Sequence, residues 1–317
     1  MNTVYFLAQQ TMFFAIPLLI VALGGMFSER SGVVNIALEG IMVMGAFVSI
    51  SFISFFQNVM SGQLLLLLAI IIAGLTGALF ALFHAFASIN LRADQTISGT
   101  ALNMFAPAFA VFVARMLQGV QQVQFKDTFH ISKVPFLGDI PVLGPILFQN
   151  CYITTYIGIA IVIITEIIIN HTKFGLRLRS CGEFPQAADS VGINVYKIRY
   201  AGVLISGMLG GIGGLVFVVP TSTNFNATVA GYGFLALAVL IFGQWRTNKI
   251  FFAAFFFGIM KTFAAAYSGI PILKELPISN EVYKMIPYIA TLIVLAFFSK
   301  SSQAPKASGI PYDKGSR

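Results

Sequence analysis

From Leu64 to Asn90 the chain reads LLLLLAIIIAGLTGALFALFHAFASIN, a run without Asp, Glu, Lys or Arg. As an α-helix it is long enough to cross a hydrocarbon core of roughly 30 Å, which takes about 20 residues at about 1.5 Å each. Comparable apolar runs lie at 4–27, 33–56, 96–117, 150–170, 198–220, 229–245, 249–268 and 282–299. The sequence predicts an all-α, polytopic helical membrane protein with about nine transmembrane helices, within a range of about 8–10. An open sheet would leave backbone groups unpaired in lipid, and no barrel-type alternation is visible.

The composition agrees. Of 317 residues, 57% are hydrophobic and 9% charged, against roughly 25% charged in a soluble domain. That deficit excludes an ordinary solvated surface, and the apolar content excludes a disordered chain. The mean hydropathy of +0.87 is spread along the chain. One membrane domain over 1–299 is expected, followed by a polar tail, 300–317, expected to be cytoplasmic and mobile.

The net charge of +8 raises nucleic acid as a partner. The Lys and Arg residues are not clustered on a soluble module, so no nucleic-acid partner is expected. They lie between the apolar runs, where topology is encoded. With the N-terminus outside and the C-terminus inside, the cytoplasmic side receives Arg30, Arg92, Lys173, Arg177, Arg179, Lys197, Arg199, Arg246, Lys249, Lys300, Lys306, Lys314 and Arg317. The outside keeps Lys126, Lys133 and Lys274, while Arg115, Lys261 and Lys284 fall in outer parts of helices. This placement needs an odd number of spans. No Lys or Arg precedes the first apolar run, so no cleaved signal peptide is expected. Cys151 and Cys181 fall on opposite sides and cannot pair. His84, His130 and His171 are scattered, so no metal site is expected.

Two long connections remain. Residues 118–149, with Pro135, Pro141 and Pro145, suit short amphipathic pieces on the outer surface. Residues 171–197 form a cytoplasmic loop, in which Thr172 to Ile193 reads TKFGLRLRSCGEFPQAADSVGI. Pro185 fits the first turn of a helix, small Ala187 and Ala188 follow, and Gly192 fits its end. Such a helix suits a groove on another protein, and flanking basic residues suit anionic headgroups. By composition alone, a plain solvated loop on the positive side fits equally well.

The order of residues decides between them. Glu183, Ala187, Ala188 and Gly192 stand in the form GE-x-P-x-AA-x-x-x-GI. This resembles the coupling loop of ABC-importer permeases. ERSGVVNIALEG at 29–40 resembles the second-helix motif of nucleoside and simple-sugar permeases, in the superfamily shared with ribose and branched-chain amino-acid permeases. ADQTISGTALN at 93–103, GYGFLALA at 231–238 and the tail from Ala304-Pro305 to Pro311-Tyr312 resemble further blocks of the same family. Gln244-Trp245 departs from it, where Lys is expected before Trp.

The resemblance implies a permease subunit of a bacterial cytoplasmic-membrane importer for nucleosides, without enzymatic chemistry of its own. It implies a second related permease subunit, a cytoplasmic ATPase that binds ATP and Mg, and an extracellular substrate-binding lipoprotein. The sequence agrees with that division: it holds no GxxxxGK[ST] phosphate loop, and no cofactor is expected. Gly210-Gly211-Ile212-Gly213-Gly214 lies inside an apolar run and reads as close helix packing. A simple-sugar or branched-chain amino-acid permease of the same superfamily is the alternative, and a secondary transporter a more distant one.

A charge at the bilayer centre costs about 2.5–3.5 kcal/mol, so polar residues inside the runs are candidate sites. Glu39 lies roughly 9 Å into its run, with Asn35 on the same face. It serves a helix–helix contact, a polar pathway, or the pinning of a broken helix. Thr100 and Asn103 share a face, and either a ribose hydroxyl or base edge, or a neighbouring helix, would satisfy them. Replacing Asn103 with Leu is expected to lower uptake more than folding; equal losses would point to helix packing instead. Ser206 reads as packing. The run 229–245 is short and follows polar Thr221–Asn226, which suggests an unwound element lining a cavity. Phe225 and Tyr232 there are placed to stack on a base. Lys261, roughly 10 Å from the outer end of its helix, reads as snorkelling. No basic residue stands clearly at mid-membrane, which favours a neutral substrate.

Overall fold

The computed structural model describes residues 2–60, 62–266, 280–298 and 303–315; Lys274, Lys300 and Arg317 lie outside them. The helices are α1 (Asn2–Arg30), α2 (Leu38–Phe56), α3 (Gln63–Ala85), α4 (Gln95–Gln118), α5 (Ile153–His171), α6 (Lys173–Glu183), α7 (Pro185–Ser190), α8 (Val195–Thr221), α9 (Tyr232–Phe242), α10 (Thr247–Ala266) and α11 (Asn280–Phe298). A π-helical turn, Phe86–Asn90, extends α3. Among the described residues seven helices are long and apolar enough to cross a membrane: α1 to α5, α8 and α10. The remaining apolar runs fall on α9, which has only 11 residues, and on α11.

Burial explains the layering. α1 is apolar on every side, and Leu18 through Leu23 are fully buried, as expected of a helix at the centre of a bundle. α8 lies against α1, α2 and α3. Lipid offers no hydrophobic drive for helix association, so close backbone approach must supply the attraction. The small residues of α8 permit it. A Cβ on Gly211 would stand 2.1 Å from the Ala73 carbonyl of α3, and one on Gly214 2.1 Å from the Met42 carbonyl of α2. The glycine run is therefore a packing seam. α4 and α5 are peripheral, with Phe105, Phe112, Ile163 and Ile167 facing outward.

The chain is not purely helical. Outside the long helices, β1 (Val123–Gln124) pairs with β4 (Asn224–Phe225), and β2 (Ile131–Lys133) pairs with β3 (Gln149–Cys151), both antiparallel. The connection expected to form amphipathic pieces thus contains a small hairpin closed by turns, with Lys133 paired to Asp139. Gln9 of α1 donates to the Pro145 carbonyl there at 2.6 Å. The other end of α1, at Arg30, meets Trp245 and the α6 region, so α1 runs from one end of the bundle to the other.

The tail, expected to be mobile, is docked over 303–315. Ala307 donates its N–H to the Gly182 carbonyl at 2.8 Å, and Gly309 to the Gly32 carbonyl at 3.2 Å. Arg199 donates to the Ile310 carbonyl at 3.0 Å. Tyr312 is buried edge-on to Tyr196, and Arg92 grips Asp313 with both Nη atoms at 2.8 and 3.0 Å. The backbone N–H of Gly315 and then Arg92 hold the Asp313 carboxyl below its ordinary range. Polar composition suggested mobility; these long-range partners, invisible in composition, supply the docking.

Candidate functional site

The loop over 171–197 folds as two short helices. Thr172 caps α6, its Oγ1 accepting from the Gly175 N–H at 3.1 Å. Pro185 opens α7. Gly192 ends it at φ +83°, with its N–H donating to Asp189 and that of Ile193 to Ala188. A side chain in that left-handed conformation would cost about 1–2 kcal/mol. The two alanines point opposite ways. Ala188 is buried with Cys181, Val195 and Tyr312, whereas Ala187 and Glu183 are exposed. Burial pushes the Cys181 thiol up to about 11, so it stays neutral. Pro185 faces inward with Ala188. The outer face also carries Phe184, 61% exposed, and Val191, 75% exposed. Sequence reasoning passed over this apolar pair, although two large apolar residues in a polar loop were the available signal.

The motif 29–40 is a break between α1 and α2. Ser31, Val33, Asn35 and Ala37 in it are fully buried. Non-helical backbone at that depth must be satisfied by the protein itself. Four side chains do so. Ser28 donates to the Val33 carbonyl at 2.7 Å. Gln95 accepts from the Val34 N–H at 2.7 Å. His84 Nε2 donates to the Val34 carbonyl at 2.8 Å, which leaves Nδ1 to accept from Ser98 at 2.7 Å. Asn103 donates to the Ile36 carbonyl at 2.8 Å and accepts from the Gly40 N–H at 2.7 Å. Asn35 itself donates to Ser206 at 2.9 Å.

The same motif clamps α9 at both ends, about 16 Å apart for 11 residues. At the start, Glu39 accepts from the N–H groups of Gly231 at 2.9 Å and Gly233 at 2.6 Å. A carboxylate is well matched to a helix N-terminus, where free N–H groups concentrate positive partial charge. At the other end Trp245 donates its indole N–H to Glu29 at 2.7 Å, and Arg30 donates twice to the Trp245 carbonyl, at 3.2 and 2.6 Å. Gln244 and Trp245 adopt φ of +49° and +54°, a strained pair for residues with side chains. Lys249 donates to Gln244 Oε1 at 2.9 Å, bringing an ammonium to the position where the family pattern led us to expect Lys.

The predicted pathway residues separate accordingly. Asn35 and Asn103 direct their amides to Ser206 and to backbone, within the protein's own framework. Thr100 is exposed and is not among the residues lining the cavity at Tyr232. Phe225 is buried in β4, with its ring 6.5 Å from that of Phe47. Glu39 pins a broken helix, one of the roles its position suggested. Replacing Asn103 with Leu orphans two backbone groups at about 1–3 kcal/mol each. Uptake and the folded fraction in detergent are therefore expected to fall together; uptake falling alone would return Asn103 to the substrate.

Tyr232 stands apart. It lines a cavity of about 550 Å³ with Phe14, Phe217, Thr221, Lys261 and Tyr288. Its ring centroid is 4.0 Å from that of Phe217. Lys261 Nζ lies 5.3 Å from the Tyr232 ring centroid and 5.4 Å from that of Tyr288, in cation–π range. Lys261 was read as snorkelling; instead its ammonium faces two rings at the cavity. Nothing in its local sequence signals this, because the rings come from α9 and α11.

Comparison with known proteins places this architecture. The family model for the permease component of branched-chain amino acid transport systems matches residues 7–295. The chain belongs to that family. The permease is 47% identical over 309 residues to the guanosine ABC transporter permease NupQ of Bacillus subtilis, covering 97% of this chain and 96% of that one. It is 42% identical over 314 residues to the nucleoside ABC transporter permease NupC of Lactococcus lactis, covering 99% and 98%. It is 23% identical over 320 residues to NupB, a nucleoside ABC transporter permease of the same organism, covering 95% and 84%. No solved structure matches the chain.

Proposed function

We propose that this permease is a transmembrane subunit of an ATP-driven importer that carries nucleosides across the bacterial cytoplasmic membrane. The observation that supports it most is the full-length identity of 47% and 42% to permeases named for guanosine and nucleosides. The aromatic cavity at Tyr232 adds chemical support, since every nucleobase has a π-face and stacks on such rings.

The N-terminus lies outside and the tail in the cytoplasm, which puts Arg30, Arg92, Arg179, Arg199 and Arg246 on the positive side. A separate ATPase binds ATP and Mg and receives the outer face of the 183–192 loop: Glu183, Phe184, Ala187 and Val191. A second, related permease subunit completes the membrane assembly; NupB and NupC of one organism are such a related pair by name. An extracellular lipoprotein delivers the substrate. Closure of the ATPase moves α6 and α7. Gly182 abuts the Arg30 carbonyl, where a Cβ would stand at 2.3 Å, so displacement reaches the 29–40 motif and through it both ends of α9. Transport requires that the cavity bind substrate differently in its two states.

The test is uptake of radiolabelled nucleoside in cells lacking the gene and in complemented cells, with sugar and leucine uptake measured in parallel. Selective, complementable loss of nucleoside uptake is expected. Loss of sugar or leucine uptake instead would retain the importer and overturn the substrate.

A further inference from the structure

The ammonium of Lys261 is half-buried within α10 and, among the described residues, has no carboxylate partner. An ionisable residue within a membrane span is by default a functional position. A second unsatisfied group stands beside it: Tyr232 is 2% exposed, and its hydroxyl has no hydrogen-bond partner among the described residues. Both line the same cavity, whose other walls are largely apolar. An exposed ring, Tyr288, with an ammonium beside it at the cavity forms a site for a flat ligand that presents hydrogen-bond acceptors at its edge.

We propose that Lys261 selects nucleosides whose base carries a carbonyl oxygen, the 6-oxopurines and uracil, over those with an amino group at the same place. This rests on the nucleoside reading above and deepens it. An ammonium has three donors and no acceptor. Guanine presents O6 and N7 as adjacent acceptors, and uracil presents O4; adenine and cytosine put an amino donor there. A base that stacks on Tyr288, the exposed ring of the two, brings its edge within reach of the Lys261 ammonium. A carbonyl then gives the cation a hydrogen-bond acceptor, while an amino group leaves donor facing donor. Sites built to pair a polar group reject ligands that leave it unpaired.

The experiment compares uptake of guanosine with that of 2-aminopurine riboside, which lacks O6, in cells expressing the wild type, Lys261→Met, Lys261→Arg or Tyr288→Leu. All four share one lipoprotein, so a changed ratio between substrates arises in the permease. The ratio is also independent of how much permease reaches the membrane. Lys261→Met is expected to lower the guanosine preference about tenfold, and Lys261→Arg, which keeps a charged donor, to retain most of it. Tyr288 is 53% exposed, so Tyr288→Leu is compatible with folding and is expected to lower the same ratio by releasing the ammonium. An unchanged ratio in Lys261→Met, or equal loss of both substrates, overturns base selection and leaves the nucleoside importer standing. If Lys261→Met fails to insert, an unchanged ratio in Tyr288→Leu overturns it. A wild type that imports neither nucleoside overturns the nucleoside reading and this proposal with it.

Discussion

Replacing Ala188 with Glu is expected to abolish uptake while leaving substrate capture by the lipoprotein intact. The side chain is 3% exposed and sits among Cys181, Val195 and Tyr312. Overpacking of such a site costs about 1–3 kcal/mol, and burying an unpaired carboxylate adds to it. The neighbouring change Ala187→Glu separates seating from docking, because Ala187 is exposed. It is expected to leave the loop folded and still block uptake through the lost ATPase contact. Limited proteolysis distinguishes them: cleavage within 172–193 should rise for Ala188→Glu and stay at the wild-type level for Ala187→Glu. Normal uptake by membrane-inserted Ala187→Glu would refute the coupling role of the loop.

Replacing Glu39 with Leu is expected to destabilise the permease and remove transport together. The change orphans the Gly231 and Gly233 N–H groups at the start of α9. At about 1–3 kcal/mol for each unmade bond, the loss is roughly 2–6 kcal/mol. α9 lies close against α2 here: a Cβ on Gly233 would stand 2.4 Å from the Glu39 backbone nitrogen. Glu39→Gln keeps one acceptor and should recover part of the stability. Thermal unfolding in detergent, run beside uptake, checks both. A stable Glu39→Leu protein that still transports would show that α9 needs no pin.

The loop helix was legible because its signals are local: Pro185 and Gly192 mark its ends and small residues lie between. Which alanine faces out was not legible, since Ala188 is buried by Val195 and by Tyr312 of the tail. The partners of the predicted pathway residues were not legible for a related reason. Polar residues in apolar runs announce that they need partners without naming them. Asn103 finds the backbone of 36 and 40, and Asn35 finds Ser206. Lys261 was discounted because an ammonium near a helix end ordinarily reaches water, and the rings it faces are supplied by other helices.

The sequence by itself determined the class of the protein and its helices. Lipid leaves a backbone few choices, so apolar run length is nearly sufficient to mark a span. It also determined the family, since the motifs at 29–40, 93–103, 183–192 and 231–238 are contiguous and read without any partner. Only the tertiary structure decided what those motifs do to one another. It joined 29–40 to both ends of α9, docked the tail on Gly182 and Gly32, and set Lys261 beside two tyrosines. Each of these is a pairing between distant segments. A hydrogen bond or ring contact acts over a few ångströms of space, and linear spacing does not say which distant residues will come that close.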